Sequence, residues 1–292
     1  MTVPKTAKTP LRLRRRESLA SGIRRIAREQ IDAACRELQG EGEPRRAVHE
    51  ARKALKKIRA LLQLVGPEFG RKRLQSEKQL FRGVAKLLAP LRDADARVKT
   101  CEILMQGGEP VPKAFGEVRD DLEAETTRIL QRIGARRRRA VTMLRQARRH
   151  VGRWPLEDLT WKLLCREIRR CYRKGRKALQ FYQQQPSDEN FHAWRKWVKE
   201  LWYHLRIVEK RFPHAPTEEI AQLEAIGELA GTAHDFSVLG ETLDARKAKV
   251  PTGPLIEAIQ ARLPQLHQAA VERGVTLFAE KPRDFLKRLG HS

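Results

Sequence analysis

Apolar residues recur at helical spacing along this chain, and one run shows the pattern most fully. Val48 to Val65 reads VHEARKALKKIRALLQLV. Val48, Ala51, Leu55, Ile58, Leu62 and Val65 fall on one face of a helix that turns about 100° per residue. His49, Arg52, Lys56, Arg59 and Gln63 keep the same spacing one step round. The centre of that polar row lies roughly 110° from the centre of the apolar face, and the row extends about 21 Å. A basic row is therefore predicted along the rim of a buried seam.

The pattern returns 143 residues later without a gap, in FHAWRKWVKELWYHLRIV. Phe191, Trp194, Val198, Leu201, Leu205 and Val208 take the six seam positions. His192, Arg195, Lys196 and Lys199 repeat His49, Arg52, Lys53 and Lys56 identically. Packing explains repeated seam residues, because any helical bundle needs them. It does not explain repeated rim cations. Two further segments repeat in the same order: IRRIAR at Ile23 returns as IRRCYR at Ile168, and LLAPLRD at Leu87 returns as LAGTAHD at Leu229. An internal duplication is the expectation.

Alternating strand patterns are nearly absent, and helix-period segments fill the chain. The predicted helices are 17–38, 45–65, about 71–105, 113–151, 157–185, 188–211, 217–248, 254–279 and a short 282–289. Pro90 and Gly134 are the places where the third and fourth helices would kink or break. Gly107-Gly108 should end the third, and Ser187 or Asp188 should cap the sixth. Gly152-Arg153-Trp154-Pro155 marks the boundary between halves. The expected organisation is a flexible basic arm at 1–16, a first half at 17–152 and a second at 153–292. The fold class is all-α: two four-helix bundles related by a pseudo-two-fold, with a basic groove between them.

Charge narrows the partners. The 292 residues hold 61 Lys and Arg against 36 Asp and Glu, a net +25. Such an excess attracts polyanions: nucleic acid, inorganic polyphosphate or an anionic membrane surface. Aromatics make up 6%, which is thin for stacking on single-stranded bases. No apolar run approaches the ~18 residues of a membrane span, and the N-terminus has no hydrophobic stretch of a secretory signal. Cys35, Cys101, Cys165 and Cys171 show no CxxC spacing and read as reduced, buried thiols.

The two rim rows are the main candidate site, because Arg forks and Lys ammoniums suit phosphate oxygens and His can donate to them. Arg24, Arg28, Arg169, Arg173 and Arg176, on the first helix of each half, form either a solvated face or a second wall of one basic channel. Arg92-Asp93 and His234-Asp235 occupy matching places. They read as a carboxylate orienting a basic residue, with a catalytic pair as the rarer alternative. No metal-ligand spacing, Gly-rich phosphate loop or GxSxG elbow is present. The run Arg136 to Arg139, with Arg145, Arg148 and Arg149, reads as solvated helix surface, since four consecutive residues cannot share a face. The five tryptophans read as packing, and Trp202 stands where Arg59 stands in the first row.

HEARKALKKIRALL and HAWRKWVKELWYHL, each followed downstream by Arg-Asp or His-Asp, resemble the CHAD (conserved histidine α-helical domain) family, as does Ile168 to Leu179. The resemblance covers roughly 17–290. It implies a stand-alone, non-catalytic protein that binds inorganic polyphosphate in a central groove, in the cytoplasm and in association with polyphosphate granules. It implies no cofactor or metal, and no ExExK triphosphatase motif accompanies it. By motif match the ligand positions are His49, Arg52, Lys53, Lys56, His192, Arg195, Lys196 and Lys199. Arg59, Arg92, Arg206, His234 and the first-helix arginines match more loosely. Two rivals stay open: a non-sequence-specific nucleic-acid binder with weak affinity for DNA or RNA, and a phosphoanhydride-processing enzyme.

Overall fold

The computed structural model describes residues 11–106, 113–246 and 252–290. Its elements in chain order are α1 (Leu19–Gln39), α2 (Pro44–Leu64), α3 (Arg71–Met105), α4 (Lys113–Val151), α5 (Trp161–Gln184), α6 (Asp188–Val208), α7 (Thr217–Asp244), α8 (Gly253–Leu277) and α9 (Pro282–Arg288). Single 3-10 turns follow α2 and α6. Among the described residues there is no strand, and no helix is long and apolar enough to cross a membrane.

Local chemistry sets most of these ends. Ser18, Thr160 and Ser187 each accept the backbone N–H three residues on, which satisfies a donor that the first turn leaves free. Asp188 and Glu189 follow Ser187 in the first turn of α6 and favour its positive end. Pro44 and Pro282 open α2 and α9 at positions that need no N–H. The helix expected from about 157 begins at Trp161, because the Thr160 cap captures Leu163 N–H there and buried Leu156 and Leu159 anchor the preceding turn. Pro90 and Gly134 break nothing: α3 packs along α4 and reaches α7 and α8, and this packing outweighs the lost hydrogen bond. The predicted stop at Gly107-Gly108 lies outside the described residues.

Of the arm expected at 1–16, residues 1–10 lie outside the described residues, and residues 11–16 are docked rather than free. Leu11 and Leu13 are buried, and Leu13 N–H donates to the Ile207 carbonyl at 2.7 Å. Arg25 donates to the Arg12 carbonyl at 3.1 Å, and Arg211 donates to the carbonyls of Arg14, Arg15 and Glu17. Two apolar anchors within a basic stretch are what tether it.

Helices α1 to α4 pack on one another, as do α5 to α8. The sets meet through α2 on α5 and α6, and α3 on α7 and α8. They share one apolar core running from Leu11 to Leu289. A second cluster joins Cys101 and Leu104 of α3 to Phe236 and Leu239 of α7. All six seam positions of α2 and all six of α6 are buried, as are the four cysteines. Trp194 is fully buried and lies so close to Gly274 that a Cβ there would sit 2.5 Å from the ring. Only glycine allows α8 to approach the indole this closely.

Candidate anion-binding cleft

Burying the seams of α2 and α6 leaves their rims side by side. A cavity of about 300 Å³ opens there. Lys56 and Arg59 come from α2, Lys78 and Arg82 from α3, and Arg195, Lys196 and Lys199 from α6. Glu200 is the one carboxylate on its wall, and Tyr203 adds a phenol. A second hollow, about 380 Å³, lies between Arg12–Arg15 and Lys210. It is framed mainly by consecutive residues of the docked N-terminal segment and contains neither row, so the chemistry points to the first.

Lys56 is at the electrostatic centre. Burial of its ammonium, followed by repulsion from Arg92, Arg195, Arg52 and Lys199, brings its pKa down to about 8. Its side chain keeps an exposed surface, so solvent screens part of this repulsion. Arg52 and Arg195 are both pushed downward, first by burial; Asp93 opposes the shift at Arg52 and Asp235 at Arg195. Lys199 is lowered by burial and Arg195, while Glu224 and Glu228 pull the other way. Arg52 donates one Nη1–H to the Ala85 carbonyl at 3.0 Å. The Nε atoms of Arg52 and Arg195 are buried without a partner.

The three predicted histidines, like Arg52, Lys53, Arg92 and Arg206, are not among the residues lining that cavity. His192 and His234 stand edge to face with centroids 4.5 Å apart. Burial, then His234, Lys196 and Arg195, lower the His192 pKa to about 4. His234 and His49 are also lowered, burial leading in each, with Arg92 contributing to both. All three favour the neutral form, which still donates one N–H. Arg92 bridges the halves, its Nη2 3.9 Å from Asp235 Oδ2. The acidic members of the Arg-Asp and His-Asp pairs thus face arginines, the arrangement of ion-pair partners.

Of the other predicted residues, Lys53 pairs with Glu50 at 2.9 Å, and Arg206 stacks on Trp202 at 4.8 Å. Lys199 Nζ lies over the same indole at 4.6 Å, so the aromatic at Arg59's counterpart position is a platform for two cations. The first-helix arginines are not gathered here. Arg24 donates to the Trp154 carbonyl and to Glu157, and Arg28 lies against Gly152. Arg176 donates to the Phe278 carbonyl, while Arg169 and Arg173 are exposed and off the cavity wall. Of the two readings open for this group, a second channel wall gains no support. Within the arginine run, Arg136, Arg138 and Arg139 are exposed, whereas Arg137 caps the end of α1 through the Leu38 and Gly40 carbonyls.

Lys78 and Arg82 were not found by sequence reasoning; their signal is a four-residue spacing on α3. Gly227 was missed too. Lys199 lies across it, with a notional Cβ 2.8 Å from Lys199 Cδ, and Arg195 lies beside Gly231 one turn on. Sequence spacing also gave no metal-ligand group, yet the fold places Cys171 of α5 beside Glu200 and His204 of α6.

Fold and site together define an all-α protein with a cationic cleft where two helix sets meet. The chain belongs to the CHAD family: the CHAD domain model matches residues 25–244, and the family is linked to polyphosphate binding. Among solved structures it is similar to the crystal structure of the CHAD domain from the plant Ricinus communis, at 18% identity and a TM-score of 0.69 over 95% of this chain and 96% of that one. That likeness is one of fold. Comparison with curated proteins gives no match.

Proposed function

We propose that this protein binds inorganic polyphosphate in the cleft between α2, α3 and α6, without chemical turnover. The observation that carries this reading is the convergence of seven cations around one cavity whose wall holds a single carboxylate. The buried Nε–H of Arg195, on the wall, has no partner, nor has that of Arg52, whose charge reaches Lys56; both are donors of the type that phosphate oxygens satisfy. A linear polyanion replaces its counterions with these fixed cations, so affinity falls steeply with salt. It also relieves the repulsion around Lys56, so binding raises the melting temperature by mass action. Association with polyphosphate granules in the cytoplasm would follow from the same binding. Asp93 and Asp235 serve as orienting partners of Arg52 and Arg195.

The test is titration of labelled long-chain polyphosphate against wild type and Arg52→Ala/Arg195→Ala across a salt series, with duplex DNA as competitor. Wild type is expected to prefer polyphosphate, and the double variant to lose most of that preference. Equal competition by DNA, or a double variant that binds like wild type, overturns the reading.

A further inference from the structure

Behind the cleft wall lies a group that polyphosphate binding does not use. The side-chain ligand atoms of Cys171, Glu200 and His204 all lie within 4.8 Å of one another. Cys171 and His204 are almost wholly buried. His204 Nε2–H donates to the Ala60 carbonyl at 3.1 Å, which fixes the tautomer and leaves Nδ1 as a lone pair. Nδ1 is buried and has no partner. A metal-bound imidazole has its other nitrogen held in this way, often by a backbone carbonyl. The Cys171 thiol makes only a long contact, 3.8 Å, to the Trp197 carbonyl.

We propose that Cys171, Glu200 and His204 form a binding site for a divalent ion of zinc type. Thiolate, imidazole and carboxylate together suit Zn²⁺, a borderline-soft ion, better than Mg²⁺ or Ca²⁺, which take oxygen ligands. With bonds of about 2.3 Å to sulfur and 2.0–2.2 Å to nitrogen and oxygen, tetrahedral ligand atoms lie about 3.5 Å apart. Metal binding here requires side-chain rotations that bring the trio from within 4.8 Å to that spacing. Binding displaces the thiol proton, and the thiolate and carboxylate then neutralise the ion. The neighbouring Lys78, Arg170 and Arg59 therefore face a neutral complex, with Glu167 the further acid nearby. Glu200 also lines the cavity, which gives the ion its entry path and leaves a fourth coordination position for water or a phosphate oxygen.

The experiment uses full-length protein stripped of metal and kept free of polyphosphate. Zn²⁺ is titrated by calorimetry, and Co²⁺ is added as a spectroscopic probe. One tight equivalent is expected, with a thiolate-to-cobalt charge-transfer band and a higher melting temperature with Zn²⁺. Cys171→Ala should abolish the band and weaken Zn²⁺ binding by at least about tenfold. The near-isosteric Glu200→Gln should weaken binding without changing helical content, which keeps the test informative if Cys171→Ala folds poorly. Absence of a stoichiometric site overturns the proposal. So does Co²⁺ bound without a thiolate band, the outcome expected if other histidines such as His192 and His234 were the ligands.

Discussion

The two walls of the cleft agree at the rim and disagree behind it. Arg52 and Arg195 occupy corresponding positions, each with a buried, unpartnered Nε and an aspartate in its field. Lys56 and Lys199 also correspond, but their surroundings differ. The charged groups that act on Lys56 are all cations; Lys199 has Glu224 and Glu228 nearby and rests on Trp202. At the offset that aligns Arg92 with His234, Arg82 and Lys86 of α3 correspond to Glu224 and Glu228 of α7. On α3 these positions are basic, with Arg82 on the cavity wall itself, whereas on α7 they are acids in the field of Lys199. The repeated sequence pattern puts matching cations on α2 and α6, and their neighbours on other helices set how much uncompensated charge each wall presents.

That contrast is most sharply tested at the seam. Trp194 corresponds to Ala51 in the first row. Trp194→Ala should cost about 3–5 kcal/mol of stability, since a fully buried indole packed on Gly274 is lost. Ala51→Gly should cost about 1 kcal/mol, the ordinary helix penalty. Urea unfolding of both variants measures the difference, and equal costs would mean the second seam is no more dependent on its aromatic than the first on its alanine.

Next come the walls themselves. Lys78→Gln/Arg82→Gln should weaken polyphosphate binding about tenfold and lower the salt slope by about 1–2. Glu224→Gln/Glu228→Gln should strengthen it a few-fold and leave that slope nearly unchanged. Filter binding at four or five salt concentrations separates the two, and losses of equal size in both pairs would erase the asymmetry.

Lys56 gives a pH test. Its folded pKa, about 8, is below the ordinary lysine value, so below pH 8 it is charged in both states and its cost to folding is fully present. Between about pH 8 and 10.5 the unfolded chain holds more protons than the folded one, and stability contributed by this group rises with pH. Ligand-free Lys56→Met should lack that component of the rise, and Lys199→Met should only reduce it, because Lys199 is one of several cations that depress Lys56. Chemical denaturation at pH 7, 8.5 and 10 reads the difference. The smallest effect belongs to Trp202→Leu, which removes the platform under Lys199 and Arg206. It should reduce polyphosphate affinity two- to five-fold, the scale of about 0.5–1 kcal/mol for an exposed cation–π contact, and calorimetry resolves a change of that size.

The sequence made most of the fold legible and about half of the site. Helix spans came from a period that each segment carries within itself, and the Ser187 cap was expected, whereas the caps at Ser18 and Thr160, which start α1 and α5 later than expected, were not. Arg52, Lys56, Arg195 and Lys199 were readable because seam and rim repeat together. Arg24 and Arg176 were not assignable, because the carbonyls they bind, Trp154 and Phe278, are far away in sequence. Lys78 and Arg82 carried no repeat to distinguish them from ordinary surface. The docking of residues 11–16 rests on two leucines that no periodic pattern includes.

By itself, then, the sequence determined the helices, their buried faces and the basic rows at their rims, since i, i+3 and i+4 spacing is a local property of one helix. The tertiary structure decided which rows meet. The contacts of α2 with α6 and with α3 bring three rims around one cavity, and the packing of α5 on α6 sets Cys171 beside Glu200 and His204. Those juxtapositions depend on how packed helices cross, and crossing is fixed by the fit of whole faces to one another, which no single segment encodes.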